Sequence, residues 1–239
     1  MESYSPFYDK SLKALKSNPL FYNLDDSLLS GLLKYFTLIT WKKNTLIPYE
    51  RNLKYFHIII SGRVKISKIN PQNGKSIILF LLHDKDAFDL ISLLEAKEHD
   101  VVIETLDDIE VLEISVEDMR KWMIEHPEFN KNFFPYLGKM MAKLEELSSD
   151  LALVDTSVRL GKLILNYANK DHKDKNGYYK VHLIYDLSHE KLAQMIGTVR
   201  NVLSRHLQKF KDENIVHFKR GHLSIKDLEA LKKKCEDFI

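Results

Sequence analysis

Leu187-Ser-His-Glu-Lys-Leu-Ala-Gln-Met-Ile-Gly-Thr-Val-Arg-Asn-Val-Leu-Ser-Arg-His-Leu-Gln-Lys-Phe-Lys211 decides the reading of the whole chain. Ser188 is a helix-capping residue, Leu192 and Ile196 follow as an apolar side, and small Ala193 sits where a second helix must come close. Gly197 then ends the first helix in the left-handed conformation such a turn demands. In the second helix Val199, Val202, Leu203, Leu207 and Phe210 are expected on the buried side. Asn201, Ser204, Arg205 and Gln208 fall at i, i+3, i+4 and i+7 on the opposite side, with Arg200 beside them. Arginine can bond guanine O6 and N7 and an amide can pair with adenine, so this face suits the DNA major groove. The stretch predicts a helix-turn-helix.

Working outward, Ile215 to Ile225 reads as two strands around a basic Lys219-Arg220-Gly221-His222 tip, a wing placed to touch phosphate. Charge supports this. The chain of 239 residues carries only +2 overall, but residues 157 to 239 carry +7 and residues 1 to 156 carry −5. Such a division predicts a basic module for a polyanion joined to a part with another task. The sharpest local feature is residues 84 to 118, with 13 acids against Lys85 and Lys97, expected to repel anions.

Upstream, residues 128 to 155 read as one long helix. Phe133, Leu137, Met140, Leu144, Leu147, Leu151, Val154 and Val158 alternate at spacings of four and three, the pattern of a two-stranded coiled-coil seam. A homodimer is expected through Leu137, Met140, Leu144, Leu147, Leu151 and Val154, in preference to a stripe packed on its own β-domain. Asp155-Thr156-Ser157 reads as an N-cap sequence that starts a new helix and a new domain. Asn169 to Gly177 reads as a loop, and Tyr178 to Ile184 as a strand. Thr40 to Ile114 carries short β-branched and aromatic runs at Phe56–Ile60, Val64–Ile69, Ile77–Leu82, Val101–Thr105 and Ile109–Ile114, separated by Ser61-Gly62 and by a turn at Asn73-Gly74. This predicts a small sandwich or barrel. Residues 6 to 36 read as helical, broken at Asn18-Pro19.

Several function classes fall away. No stretch approaches the roughly 20 apolar residues of a membrane span, and Met1 to Lys16 lacks the pattern of a secretory signal, so a cytoplasmic protein without membrane partners is expected. The single cysteine, Cys235, rules out internal disulfides and thiolate clusters, and reads as an incidental tail residue. No metal triad, phosphate loop or nucleophile elbow is present, so no catalytic or metal-binding residues are expected; a jelly-roll metal enzyme is the remote rival. A partner-binding regulator without DNA is the other.

Pro19-Leu-Phe21, Ile58-Ile-Ile-Ser-Gly-Arg-Val64, Leu151-Ala-Leu-Val-Asp-Thr-Ser-Val-Arg159 and Leu187 to Phe210 together resemble the Crp/Fnr family of bacterial transcription regulators. The resemblance implies an α+β chain: an N-terminal jelly-roll, cyclic-nucleotide-binding-like sensor over residues 1–127, a dimerisation helix over 128–155 and a winged helix-turn-helix over 156–239. It implies a homodimer on a near-palindromic operator, with double-stranded DNA and RNA polymerase as partners. Arg200, Asn201 and Arg205 take base-reading positions. Ser204 is offered to a base edge by the exposed row, though the resemblance sets it near the backbone. Ser188, His189, Thr198, Gln208, Lys219, Arg220 and His222 are expected on the DNA backbone, and Asp155 at the hinge.

Departures from the family pattern bear on the signal. Cyclic-AMP-binding members carry Gly-Glu and, about ten residues on, Arg-Ser or Arg-Thr. Here Asp89-Leu90 and His99-Asp100 stand instead, no arginine occurs between Arg63 and Arg120, and cyclic AMP is expected not to bind. Iron–sulfur sensing lacks its cysteines. The remaining alternatives are haem-dependent sensing of a gas or nitrosative stress, or no ligand at all. His57, His83, His99, His126, Met140 and Met141 are the residues of haem-ligating type, each more simply read as surface or core. Asn201 stands where many members have Glu, which shifts the expected half-site from cytosine toward adenine.

Overall fold

The computed structural model describes residue 1 and residues 5–95, 100–219 and 222–236. His99, Arg220 and Gly221 therefore lie outside the described residues. Two compact units are formed: Met1–Lys68 with Phe80–Lys143, and Leu144–Ile239 with Ile69–Leu79.

In chain order, helices α1 (Tyr8–Ser17) and α2 (Asp26–Leu33) precede strand β1 (Thr37–Trp41), helix α3 (Tyr49–Lys54) and strands β2 (Tyr55–Ser61), β3 (Val64–Ile69), β4 (Ser76–Leu82) and β5 (Ala87–Phe88). Helix α4 (Leu90–Glu95), strands β6 (Val102–Thr105) and β7 (Ile109–Ser115), helix α5 (Val116–Glu125) and the long α6 (Asn130–Leu153) follow. One antiparallel sheet has the order β1-β7-β2-β5 and another β4-β3-β6. All five expected strands are present; β1 and the two-residue β5 are additional to them.

Ile59, Val64, Ile66, Leu82, Phe88, Ile103, Ile109 and Val111, drawn from both sheets, fill one core. Strand residues alternate faces, so Phe56, Ile58, Leu112 and Ile114 point the other way. There they meet Leu15, Leu29, Leu32, Leu33, Trp122, Phe129 and Phe133 of the helices in a second core.

The long helix serves two masters. Phe133, Tyr136 and Met140 are buried, and Leu137 packs partly against the same helix-covered core. The N-terminal part of the heptad stripe is thus spent on its own domain, which corrects the expectation for Met140 as a free seam residue. From there on the apolar positions are less covered: Met141 is exposed, Leu144 is 38% exposed, and Leu147, Leu151 and Val154 are half-buried. The helix passes through Pro135 without ending.

The second unit holds α7 (Thr156–Asn166), β8 (Ala168–Lys173), β9 (Tyr179–Val181), α8 (His189–Met195), α9 (Arg200–Asp212), β10 (Val216–Lys219), β11 (His222–Ile225) and α10 (Leu228–Glu236). Its sheet runs β10-β11-β9-β8. The segment from Asn169, expected as a loop, is mostly strand: β8 pairs with β9, and only the Asp174 turn is loop, its Oδ1 accepting from the N–H groups of Asn176 and Tyr178 at 2.8 and 3.0 Å. Polar composition misled there, because β8 is an almost fully exposed strand with no alternation to read. Asp155 does occupy the N-cap of α7 with extended backbone, but its side chain makes no cap bond. Lys162 instead ties α7 to the end of α6 through Asp150 at 2.7 Å. Cys235 is no incidental tail residue. It is buried in α10, with its Sγ 2.6 Å from where a Cβ on Gly161 of α7 would stand.

Candidate nucleic-acid interface

Ser188 caps α8, its hydroxyl accepting from the Lys191 N–H at 3.3 Å. Leu192 and Ala193 are buried, and the turn closes through the Thr198 N–H donating to the Ala193 carbonyl at 2.9 Å. Gly197 has φ +62, and any Cβ there would collide with Leu151 Cδ2, so both backbone conformation and space demand glycine. Leu203, Leu207 and Phe210 form the buried side of α9, as expected.

On the other side Arg200, Asn201, Arg205 and Gln208 are exposed. Ser204 is only half-exposed, and its hydroxyl lies 2.8 Å from His189 Nδ1. The imidazole also packs on Phe218 of β10, with ring centroids 5.1 Å apart, and its Nε2 is buried without a hydrogen-bond partner. His189 and Ser204, expected on DNA, are therefore engaged with each other, tying α8 to α9. Burial, and then the charge of Arg200, hold the His189 pKa below its ordinary value. Burial, followed by Arg205 and Lys209, lowers His206 likewise. Both imidazoles are neutral at pH 7, so the cationic charge of the α9 face comes from its arginines and lysines. Gln208 donates to Asp212 Oδ1 at 2.7 Å. Thr198 is half-buried in the turn.

Val199 departs from the expected buried side and is 51% exposed. It is the N-cap, with φ −104 and ψ 152, so its side chain escapes the helical periodicity that places Leu203 inward. In the wing, Lys219 pairs with His222 across β10 and β11 next to the undescribed tip. The His222 ring stacks on Tyr185 at 5.4 Å.

The first unit holds a constellation that spacing alone could not reveal. His57 of β2 is completely buried between two carboxylates: Nδ1 lies 2.7 Å from Asp89 Oδ2 and Nε2 lies 2.9 Å from Glu113 Oε2. Arg51 grips the same Glu113 with two bonds of 2.6 and 2.7 Å, and Phe88 stacks on the imidazole at 4.6 Å. Burial alone would lower the His57 pKa, but its bonds to Asp89 and Glu113 outweigh this and raise it. Both ring nitrogens are taken, so His57 is no haem ligand; Met140 is likewise committed to the core.

Asp89 is the residue expected in the phosphate-binding segment. It is buried, holds a left-handed backbone with φ +66, and directs its carboxylate at His57. Leu90 begins α4, and Asp100 is exposed. The acidic run proves less repellent than its composition predicts, because cations from elsewhere neutralise it: Glu104 pairs with Lys65, Asp107 with Arg63, Asp108 with Lys42, Glu110 with Lys10 and Glu113 with Arg51. Among the described residues no group of three or more His, Cys, Asp or Glu side chains is placed to hold a metal ion, and no helix is long and apolar enough to cross a membrane.

Comparison with known proteins agrees with this architecture. Residues 158–234 match the Crp-like helix-turn-helix domain, and residues 38–126 match the cyclic nucleotide-binding domain. The chain is 22% identical over 217 residues to the CRP-like cAMP-activated global transcriptional regulator of Mycobacterium tuberculosis, covering 90% of this chain and 96% of that protein. It is 23% identical over 179 residues to the cAMP-activated global transcriptional regulator CRP of Salmonella typhimurium, covering 73% and 81%. A CooA variant from Carboxydothermus hydrogenoformans shares the fold with a TM-score of 0.69 at 23% identity, covering 85% of this chain and 89% of that one. The c-di-GMP responsive regulator CLP of Xanthomonas campestris does so at 0.70 and 17%, covering 85% and 100%. Two matched domains in this order, relatives spanning nearly the whole chain and a recognition helix with an open polar face make this chain a DNA-binding transcription regulator of the Crp/Fnr family.

Proposed function

We propose that the chain acts as a homodimer whose two α9 helices enter successive major grooves of a near-palindromic site, with Arg200, Asn201 and Arg205 reading bases. The exposed row on α9 carries this reading, since it presents bidentate donors next to an amide on a helix otherwise packed by Leu203, Leu207 and Phe210. Ser188, Thr198, Gln208 and the wing residues Lys219, Arg220 and His222 serve phosphate; His189 and Ser204 support the recognition helix from behind. Exposed Leu144 and half-buried Leu147 and Val154 of α6 support a partner helix of a second copy, with Leu151 shared between that seam and the Gly197 turn. Residues 1–127, 128–155 and 156–239 divide the work into sensing, dimerisation and DNA binding. The protein works in the cytoplasm, engages RNA polymerase and catalyses no reaction.

Cyclic AMP is not its signal. No arginine occurs between Arg63 and Arg120 to hold a cyclic phosphate, and Asp89, in the expected phosphate-binding segment, is bound to His57 instead.

The test is to select sites from random DNA with the full chain and titrate the selected site against Arg205→Ala. That variant is expected to lose about 1–3 kcal/mol on the selected site and to relax base choice at one position per half-site. Equal losses on selected and random DNA would remove Arg205 from base reading, and tight stoichiometric cyclic AMP in calorimetry would overturn the ligand claim.

A further inference from the structure

Val199 stands at a place where local physics disfavours it twice. It is the N-cap of α9, where Ser, Thr, Asp or Asn would accept a hydrogen bond from the first turn, and no side-chain cap bond is made. It is also an apolar side chain left 51% exposed, although Leu203 and Leu207 nearby are fully enclosed. A residue that gives up both capping and burial contributes little to stability, and such local violations belong to functional sites. Its neighbours define the function: exposed Arg200 and Asn201 follow it directly at the helix tip, the part of a recognition helix that meets base edges.

A branched apolar group cannot bond a phosphate or a base heteroatom. The apolar feature offered by the major groove is the C5-methyl of thymine. We infer that Val199 is a specificity-determining residue that recognises a thymine methyl beside the bases read by Arg200 and Asn201. The assignment rests on the DNA-binding reading above. It predicts a thymine in each half-site that is chosen for its methyl group rather than for its hydrogen bonds.

Uracil keeps every hydrogen-bonding group of thymine and lacks only that methyl, so it isolates the contact. Sites are selected from random DNA with the full-length wild type and with Val199→Ser, and each thymine of the wild-type site is then replaced singly by deoxyuridine. For the wild type, one thymine per half-site is expected to cost roughly fourfold in affinity when demethylated, the ratio that burial of about one methylene (about 0.8 kcal/mol) commands. Demethylating both half-sites should cost roughly sixteenfold. Val199→Ser should bind the thymine and uracil forms equally, while melting no lower than the wild type because serine can cap α9. An enriched site whose deoxyuridine scan is flat, or a Val199→Ser protein with the same penalty as wild type, overturns the assignment and leaves DNA binding intact. Failure of the wild type to enrich any site overturns the DNA-binding reading itself, and the role of Val199 with it.

Discussion

Replacing His57 by alanine removes the imidazole that lies between Asp89 and Glu113. The imidazole is wholly buried and contacts both carboxylates at 2.7 and 2.9 Å, and Arg51 bonds Glu113 from its other side. With His57 protonated the four groups sum to zero charge; without it the cluster keeps a net negative charge under a core of Phe88 and Trp41. Breaking a buried ion pair by removing one partner costs about 3–5 kcal/mol. At about 2–4 °C per kcal/mol for a chain of this size, His57→Ala should lower Tm by roughly 6–20 °C.

The pH dependence has a definite sign. The folded His57 pKa is raised above 6.5, so between 6.5 and the folded value the native state holds a proton that the unfolded chain has released. The stabilisation is complete below about pH 6.5 and is lost as pH rises through the folded pKa. Glu113 behaves oppositely. Burial raises its pKa, but bonds from His57 and Arg51 outweigh this and depress it, so its contribution is present above 4.5 and lost as pH falls through the lowered value. Guanidinium unfolding of wild type and His57→Ala between about pH 5 and 9 checks the His57 claim, and extending the wild-type series to about pH 3 checks that of Glu113. The variant should lose the alkaline decline that His57 supplies. A variant within about 1 kcal/mol of wild type at pH 6, or one with the same alkaline slope, would refute the reasoning.

Three further outcomes are expected. Tyr136→Phe removes the hydroxyl that accepts from the buried Ala87 N–H at 2.9 Å, which should cost about 1–3 kcal/mol in a denaturant melt. Gly197→Ala forces a side chain into a left-handed backbone and onto Leu151, for a loss of about 2–4 kcal/mol that a second change, Leu151→Ala, partly restores. Leu144→Asp with Leu147→Asp should convert a dimer to a monomer in sedimentation experiments while leaving the melt of the first unit nearly unchanged; a wild type that is monomeric at micromolar concentration would remove the seam.

What could be read in advance followed strong local grammar. The helix-turn-helix was legible because Ser188, Ala193 and Gly197 each answer a geometric demand at a fixed offset, and the strands because β-branched runs are bounded by Gly62 and Asn73-Gly74. Residues set by tertiary partners were not legible. His57 of β2, Glu113 of β7 and Asp89, just after β5, are far apart in sequence, and their meeting depends on β2 lying between β7 and β5. The acidic run misled for the same reason, since its neutralising partners Lys10, Lys42, Arg51, Arg63 and Lys65 all lie before it in the chain. Val199 was misplaced because periodicity assumes helical backbone one residue before the helix begins. The stripe on α6 is a single pattern that two surfaces share, and spacing cannot say where one hands over to the other.

The contact between Cys235 and Gly161 makes the thiol a clock. Its sulfur is enclosed where α10 crosses α7, and a reagent can reach it only after α10 lifts away. Because it is the single cysteine of the chain, its labelling rate under native conditions reports the frequency of that one opening with no background from other sites. Operator DNA added to the same experiment would then measure how far DNA binding slows a motion on the far side of the helix-turn-helix sequence, at the end of the chain.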